Sequence, residues 1–152
     1  MKNPTETSQI EMSERQLLSL IENKKASCQF GGKRPDLNNQ YFRSKWEANY
    51  ARFLNWLISN KQDLIEKWQY EPDEFEFPVK RGTRFYKPDF KVFFKNGRVE
   101  YHEVKGYDYQ EGITARKRMA KYYPDITLIL IDSDWFKDLR KKHIPSLIEG
   151  WE

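Results

Sequence analysis

Two spacings of apolar residues follow one another along this chain. From Ser44 onward, Trp46, Tyr50, Phe53, Leu54, Leu57 and Ile58 recur at the three- and four-residue intervals of an amphipathic helix. Ser44-x-x-Glu47 has the capping-box form that opens such a helix, which should end near Ser59-Asn60. A shorter helix is expected after Ser13-x-x-Gln16, carried by Leu17, Leu20 and Ile21 to about Lys24, behind a flexible polar tail over 1–12. Residues 27–41 read as a loop. Between Trp68 and Lys105 the pattern turns to alternation: Phe75 and Phe77 flank Glu76, and a second strand over 84–95 carries the core row Phe90, Val92 and Phe94. Asn96-Gly97 is a two-residue hairpin signal leading to a third strand, Arg98 to Lys105, which Gly106 ends. A basic helix, roughly Gln110 to Tyr123, runs through Pro124-Asp125 into a buried-looking strand, Ile126 to Ile131. A last helix follows Asp132-Ser133-Asp134 and carries Trp135, Phe136 and Leu139. The order is helix, three antiparallel strands, helix, strand, helix. It predicts an α/β domain over 13–152, its core at about 40–132, around one mixed sheet.

Composition agrees with a folded domain. The 152 residues are 33 % charged but also 16 % aromatic, and a disordered polyampholyte would lack those rings. The net charge of +4 suits a polyanionic partner without selecting one. Cys28 is the single cysteine, so an internal disulfide and a cysteine-rich zinc site are both excluded. The polar opening stretch lacks the apolar centre of a signal peptide, and the longest apolar run, Ile126 to Ile131, is far too short for a bilayer. A cytoplasmic protein with no membrane partner is expected.

The chemistry concentrates on the expected hairpin. Strand alternation sends Glu103 and Lys105 to one face and His102 and Val104 to the other. Asp89 lies off the core row, and pairing the strands through the turn brings it within reach of Glu103. Two carboxylates and an ammonium suit a hard divalent cation. Mg²⁺ takes one or two protein carboxylates and leaves room for water and phosphate, while a lysine can orient the water or neutralise the phosphate. The same Glu-x-Lys pattern also arises in a solvated row of salt bridges. Glu47 has two compatible readings: a capping-box residue bonding back to the Ser44 amide, and an acid facing the sheet on the row of Leu54 and Ile58. Lys33, Arg34, Arg43 and Lys45 form one basic cluster, and Arg116, Lys117 and Lys121 another. Both suit backbone phosphates, or else simply face solvent. Gly31-Gly32 lacks the ending of a phosphate-binding P-loop. Tyr107 and Tyr109, just past the hairpin, could stack on an unpaired base.

Pro88-Asp89-Phe90, followed after the hairpin by Glu103-Val104-Lys105-Gly106, resembles the PD-(D/E)xK nuclease superfamily. The likeness is nearest to small phage endonucleases and to the endonuclease subunit of heteromeric transposases. In those relatives a helix bearing Arg-Ser-x-x-Glu precedes the hairpin, and Arg43-Ser44-Lys45-Trp46-Glu47 stands in that place. The resemblance spans about Gln40 to Asp132. It implies a restriction-endonuclease-like fold, a central mixed sheet flanked by helices, and an endodeoxyribonuclease dependent on Mg²⁺ or Mn²⁺ that leaves 5′-phosphate and 3′-hydroxyl ends. It further implies Asp89, Glu103 and the Val104 backbone carbonyl as metal ligands, Lys105 as the catalytic lysine, and Glu47 as an additional active-site acid. The partner would be DNA in a phage-infected or bacterial cell. One such domain cuts one strand, so double-strand cleavage would need a homodimer or a partner protein. Nothing in the chain marks a sequence-reading element, so structure- or partner-directed specificity is expected. Two other expectations compete: a catalytically silent DNA-binding or assembly module of a recombination, transposition or phage DNA-processing complex, and a structural α/β protein whose charged hairpin face is merely wet.

Overall fold

The computed structural model describes residues 31–61 and 64–152. The expected tail, the helix over 13–24 and Cys28 lie outside the described residues. A hairpin opens the described chain: β1 (Gly32–Arg34) and β2 (Gln40–Phe42), joined through a 3-10 turn at Pro35–Leu37. It occupies the stretch read as a loop, where two three-residue strands are too short to declare a period. Helix α1 (Lys45–Asn60) follows; Ser44 caps it, its Oγ accepting from the Glu47 amide at 3.2 Å.

Then come β3 (Ile65–Tyr70), β4 (Phe75–Glu76), β5 (Phe85–Tyr86), β6 (Phe90–Phe94), β7 (Val99–Val104), α2 (Gln110–Tyr122), β8 (Thr127–Ile131) and α3 (Ser133–Lys141). The main sheet is four-stranded in the order β3-β6-β7-β8, with β8 parallel to β7 and the other pairs antiparallel. The protein is therefore a mixed α/β structure with a mixed sheet and three α-helices among the described residues.

Four details correct the sequence reading. The first strand of the main sheet is β3, whose register shifts between Ile65 and Lys67; that bulge puts Ile65, Trp68 and Tyr70 out of simple alternation and hides the strand. The segment around Phe75 pairs with β5 in a separate two-stranded sheet. The long strand over 84–95 is broken at Lys87-Pro88-Asp89, where proline supplies no N–H to the ladder. Strand β8 lies at the sheet edge with Ile129 38 % exposed, so its apolar run is only half covered.

The hairpin turn also differs. The Gly97 amide donates to the Phe94 carbonyl at 3.0 Å and the Phe94 amide to the Arg98 carbonyl at 2.9 Å. The loop is thus residues 95–97, with Gly97 at φ +87° supplying the left-handed residue that three-residue hairpins use. This sets the register Phe90↔His102.

Two apolar clusters cover opposite faces of the sheet. One packs α1 and α3 against Phe90, Val92, Phe94 and Val104, with Phe42, Leu54 and Phe136 buried among them. The other joins Phe77 and Tyr86 to Ala115 and Met119 of α2. No helix among the described residues is long and apolar enough to cross a membrane.

Candidate active site

Extending the hairpin register by one pair beyond Phe90↔His102 sets Asp89 opposite Glu103, on the face turned away from Phe90. A two-residue turn would have placed Asp89 opposite Val104 instead. Both carboxylates are buried, Asp89 at 1 % and Glu103 at 2 % exposure. Asp89 Oδ2 accepts from the Val104 amide at 2.7 Å, which locks the side chain across the pair. Its Oδ1 accepts from Arg43 Nη2 at 2.8 Å, and the same nitrogen reaches Glu71 at 2.7 Å. Glu103 Oε1 meets Lys105 Nζ at 2.7 Å, whereas Glu103 Oε2 is buried with no hydrogen-bond partner.

The electrostatics match this crowding. Burial, then the charges of Glu103 and Glu47, push the Asp89 carboxyl up to about 8, against the pull of the Val104 amide and Lys105. Burial works against the Lys105 ammonium, but Glu103 and Asp89 outweigh it and raise its pKa, so the lysine stays charged.

Glu47 is buried at the first turn of α1. Its Oε2 accepts from the Arg43 amide at 3.0 Å and from the Tyr70 hydroxyl at 2.6 Å, and its Oε1 from the Ser44 hydroxyl at 3.0 Å. The cap therefore closes on the Arg43 amide and the Ser44 hydroxyl, not on the Ser44 amide. Glu47 acts on Asp89 by charge while both of its oxygens are engaged.

Among the described residues, no three His, Cys, Asp or Glu side chains are grouped to hold a metal. Asp89 and Glu103 are a pair, and a pair is the usual protein complement of Mg²⁺, which keeps several waters. The residues fit such a cation on two observations: the orphaned Glu103 Oε2, and the mutual charge burden on Asp89 that a divalent ion would relieve. The Val104 carbonyl belongs to the same backbone segment.

The basic residues divide. Arg34 is buried and bonded to Glu152 and to the Gly32 carbonyl, which removes it from a DNA-facing surface. Arg43 joins the carboxylate site while keeping its side chain 57 % exposed. Lys45 is half-buried and borders a hollow of about 70 Å³ with Trp46, Arg140 and Trp151. Arg116 is paired with Asp108 beside the site. Lys33, Lys117 and Lys121 are exposed. His102 faces α1: its Nδ1 lies 2.6 Å from the Tyr50 hydroxyl and its Nε2 2.9 Å from Glu100. Tyr107 and Tyr109 are 70 % and 71 % exposed, edge to face with centroids 4.8 Å apart.

Sequence reasoning missed Tyr86, Glu71 and Asp108 as neighbours of this centre. For Tyr86 the available signal was its place three residues before Asp89, beyond the proline that ends its strand. No protein-family model matches the chain, and no curated protein matches it.

Proposed function

We infer that the chain is a metal-dependent endodeoxyribonuclease of the PD-(D/E)xK kind on a restriction-endonuclease-like fold. The observation that carries this reading is the buried Asp89–Glu103 pair, with one Glu103 oxygen left unpartnered. An unpaired buried carboxylate oxygen is costly, and an enzyme keeps such a cost where a ligand is to be received. Asp89, Glu103 and the Val104 carbonyl would hold Mg²⁺ or Mn²⁺. When bound, such an ion supplies charge neutralisation at the phosphate and acidifies an attacking water. The Val104 amide keeps Asp89 in place, and the Lys105 ammonium, already 2.7 Å from Glu103, orients water or neutralises a phosphate oxygen. Arg43, whose Nη2 already reaches Glu71 at 2.7 Å, would keep that partner or meet DNA were a cation to occupy Asp89 Oδ1. Glu47 holds Arg43 and the start of α1 in position, and adds negative charge that favours the cation. The exposed Tyr107–Tyr109 pair beside the site supports a structure-directed substrate, because any unpaired base can stack there. A bacterial or phage-infected cytoplasm is the setting this reading implies, with a homodimer or partner protein needed to cut both strands.

One observation favours a second reading. Arg43 and Lys105 already neutralise one oxygen each of Asp89 and Glu103, which is how a lapsed site would settle as a silent DNA-binding or assembly module.

The test incubates the protein with duplex, flap and four-way-junction DNA plus Mg²⁺ or Mn²⁺, alongside Asp89→Asn, Glu103→Gln and Lys105→Ala. Wild-type cleavage reduced at least ~10³-fold in each variant is expected. Binding without cleavage, and no thermal shift with Mn²⁺, would establish the silent module.

A further inference from the structure

Among the described residues, three buried side-chain polar atoms have no hydrogen-bond partner: Tyr86 Oη, Glu103 Oε2 and Arg116 Nη1. They come from β5, β7 and α2, far apart in sequence, yet they border one place. The Tyr86 phenol feels Glu103 through charge and from hydrogen-bonding range, without a well-formed bond to it, and feels the charges of Asp89 and Arg116; Tyr86 also shares a buried cluster with Ala115, the helical neighbour of Arg116. Arg116 Nη1 and Lys105 Cε lie 3.5 and 3.8 Å from the point where a Cβ on Gly112 would stand. Most buried polar groups in folded proteins are paired, so two donors without a well-formed bond, bordering an unpaired carboxylate oxygen, mark a space built for something.

The donor set says what. Glu103 Oε2 is an acceptor suited to a cation, but Tyr86 and Arg116 offer hydrogens. Burial and then the Glu103 carboxylate raise the Tyr86 pKa far beyond its ordinary value, so its hydroxyl remains a donor. Arg116 brings a guanidinium whose Nη2 is tied to Asp108, which fixes the fork and leaves Nη1 to point elsewhere. A phenol and a guanidinium cannot serve a metal; they serve an anionic oxygen. Gly112 is consistent with this. Glycine weakens a helix, yet here a Cβ would crowd Asp108 Oδ1 at 3.3 Å, the acid that holds the fork, and would stand in ordinary contact with Arg116 Nη1 at 3.5 Å.

We propose that Tyr86 and Arg116 form a two-donor cradle for a non-bridging oxygen of the phosphodiester held beside Glu103. The inference rests on the nuclease reading for its substrate, but its chemistry, the capture of a phosphate oxygen, can be tested apart from cleavage.

Tyr86→Phe removes only the hydroxyl, and Arg116→Lys keeps the charge while losing the fork. Inorganic phosphate titrated into the metal-free protein, followed by the NMR resonances of the Arg116 side chain, should give a saturable shift in wild type that weakens at least about fivefold in each variant. Mn²⁺ binding without DNA, read by electron paramagnetic resonance, should stay within twofold of wild type, because the ligand carboxylates are untouched. In single-turnover cleavage, each variant should lose roughly 10- to 100-fold in rate, with DNA affinity changed less than threefold. A wild type indifferent to phosphate overturns the cradle whether or not DNA is cut. So do variants that cleave at the wild-type rate, or that lose Mn²⁺ binding together with activity. Absence of cleavage by wild type, with phosphate captured as expected, would instead sink the nuclease reading and leave the cradle standing.

Discussion

Asp89 is held in conflict with its surroundings. Its carboxyl is raised from an ordinary 3.8 to about 8 by burial and by the Glu103 and Glu47 charges. The folded protein therefore keeps the Asp89 proton over a pH window in which the unfolded chain has released it. Stability contributed below about pH 4 is lost as pH rises through about 8, with no cation present. Asparagine keeps the shape and can still accept from the Val104 amide, but it carries no charge. Asp89→Asn should therefore stabilise the metal-free protein by about 1–3 kcal/mol above pH 8, less than the full shift because the amide NH2 then replaces the oxygen that accepts from Arg43 and that bond is lost. The gain should shrink steadily as pH falls through that window and vanish only below about pH 4. Thermal melts in chelator from pH 5 to 8.5 measure this, and a variant less stable than wild type at every pH would show that Arg43 had already settled the charge. On the nuclease reading, adding Mn²⁺ should reverse the order, since the variant would offer the ion one carboxylate fewer.

The position of Asp89 is set by the three-residue loop of the β6–β7 hairpin, for register decides which residue stands opposite Glu103. Gly97 has φ +87° and nothing within 4 Å of a Cβ built on it, so Gly97→Ala tests the backbone conformation alone; a loss of about 1 kcal/mol is expected. Gly31 is the contrary case. A Cβ there would meet the Phe42 and Arg43 carbonyl oxygens at 2.6 and 2.8 Å, backbone atoms that cannot yield cheaply. Gly31→Ala should cost more than Gly97→Ala in urea unfolding, and should also change the Mn²⁺ affinity, because it displaces the segment that carries Arg43. Equal losses in the two variants, with metal affinity untouched, would contradict this. The helices were legible in the sequence because α1 and α2 keep their 3.6-residue period and α3 has its Asp132 cap. The strands were less so: a bulge disguised β3, and Pro88 cut one apparent strand into β5 and β6. Asp89, Glu103 and Lys105 could be picked out because one hairpin aligns them. Tyr86 left only its nearness to Asp89 as a signal and the role of Arg43 left none, since both depend on packing between elements distant in sequence.

For the whole molecule, net charge matters less than which cations are available. The excess of 27 Lys and Arg over 23 Asp and Glu suggests a broadly basic surface. The structure engages many of these groups internally. Arg34 and Arg52 converge on Glu152, Arg52 also holds Asp36, and Arg98, Lys91 and Arg84 are each paired with a neighbouring acid. Lys33, Lys117 and Lys121 stay exposed on two separate parts of the fold. If DNA is the ligand, binding must weaken with salt in proportion to the phosphates these lysines neutralise, each adding about one to the slope of log K against log salt. Fluorescence anisotropy with a labelled junction in chelator should show Lys33→Gln, Lys117→Gln and Lys121→Gln each lowering that slope by about one. Arg34→Gln should leave the slope alone and instead destabilise the fold by roughly 1–3 kcal/mol, because it removes the Arg34 share of a largely buried ion pair at Glu152. A slope that falls with Arg34→Gln but not with the lysines would mean that DNA engages the face around Glu152, opening the Arg34 pair as it binds.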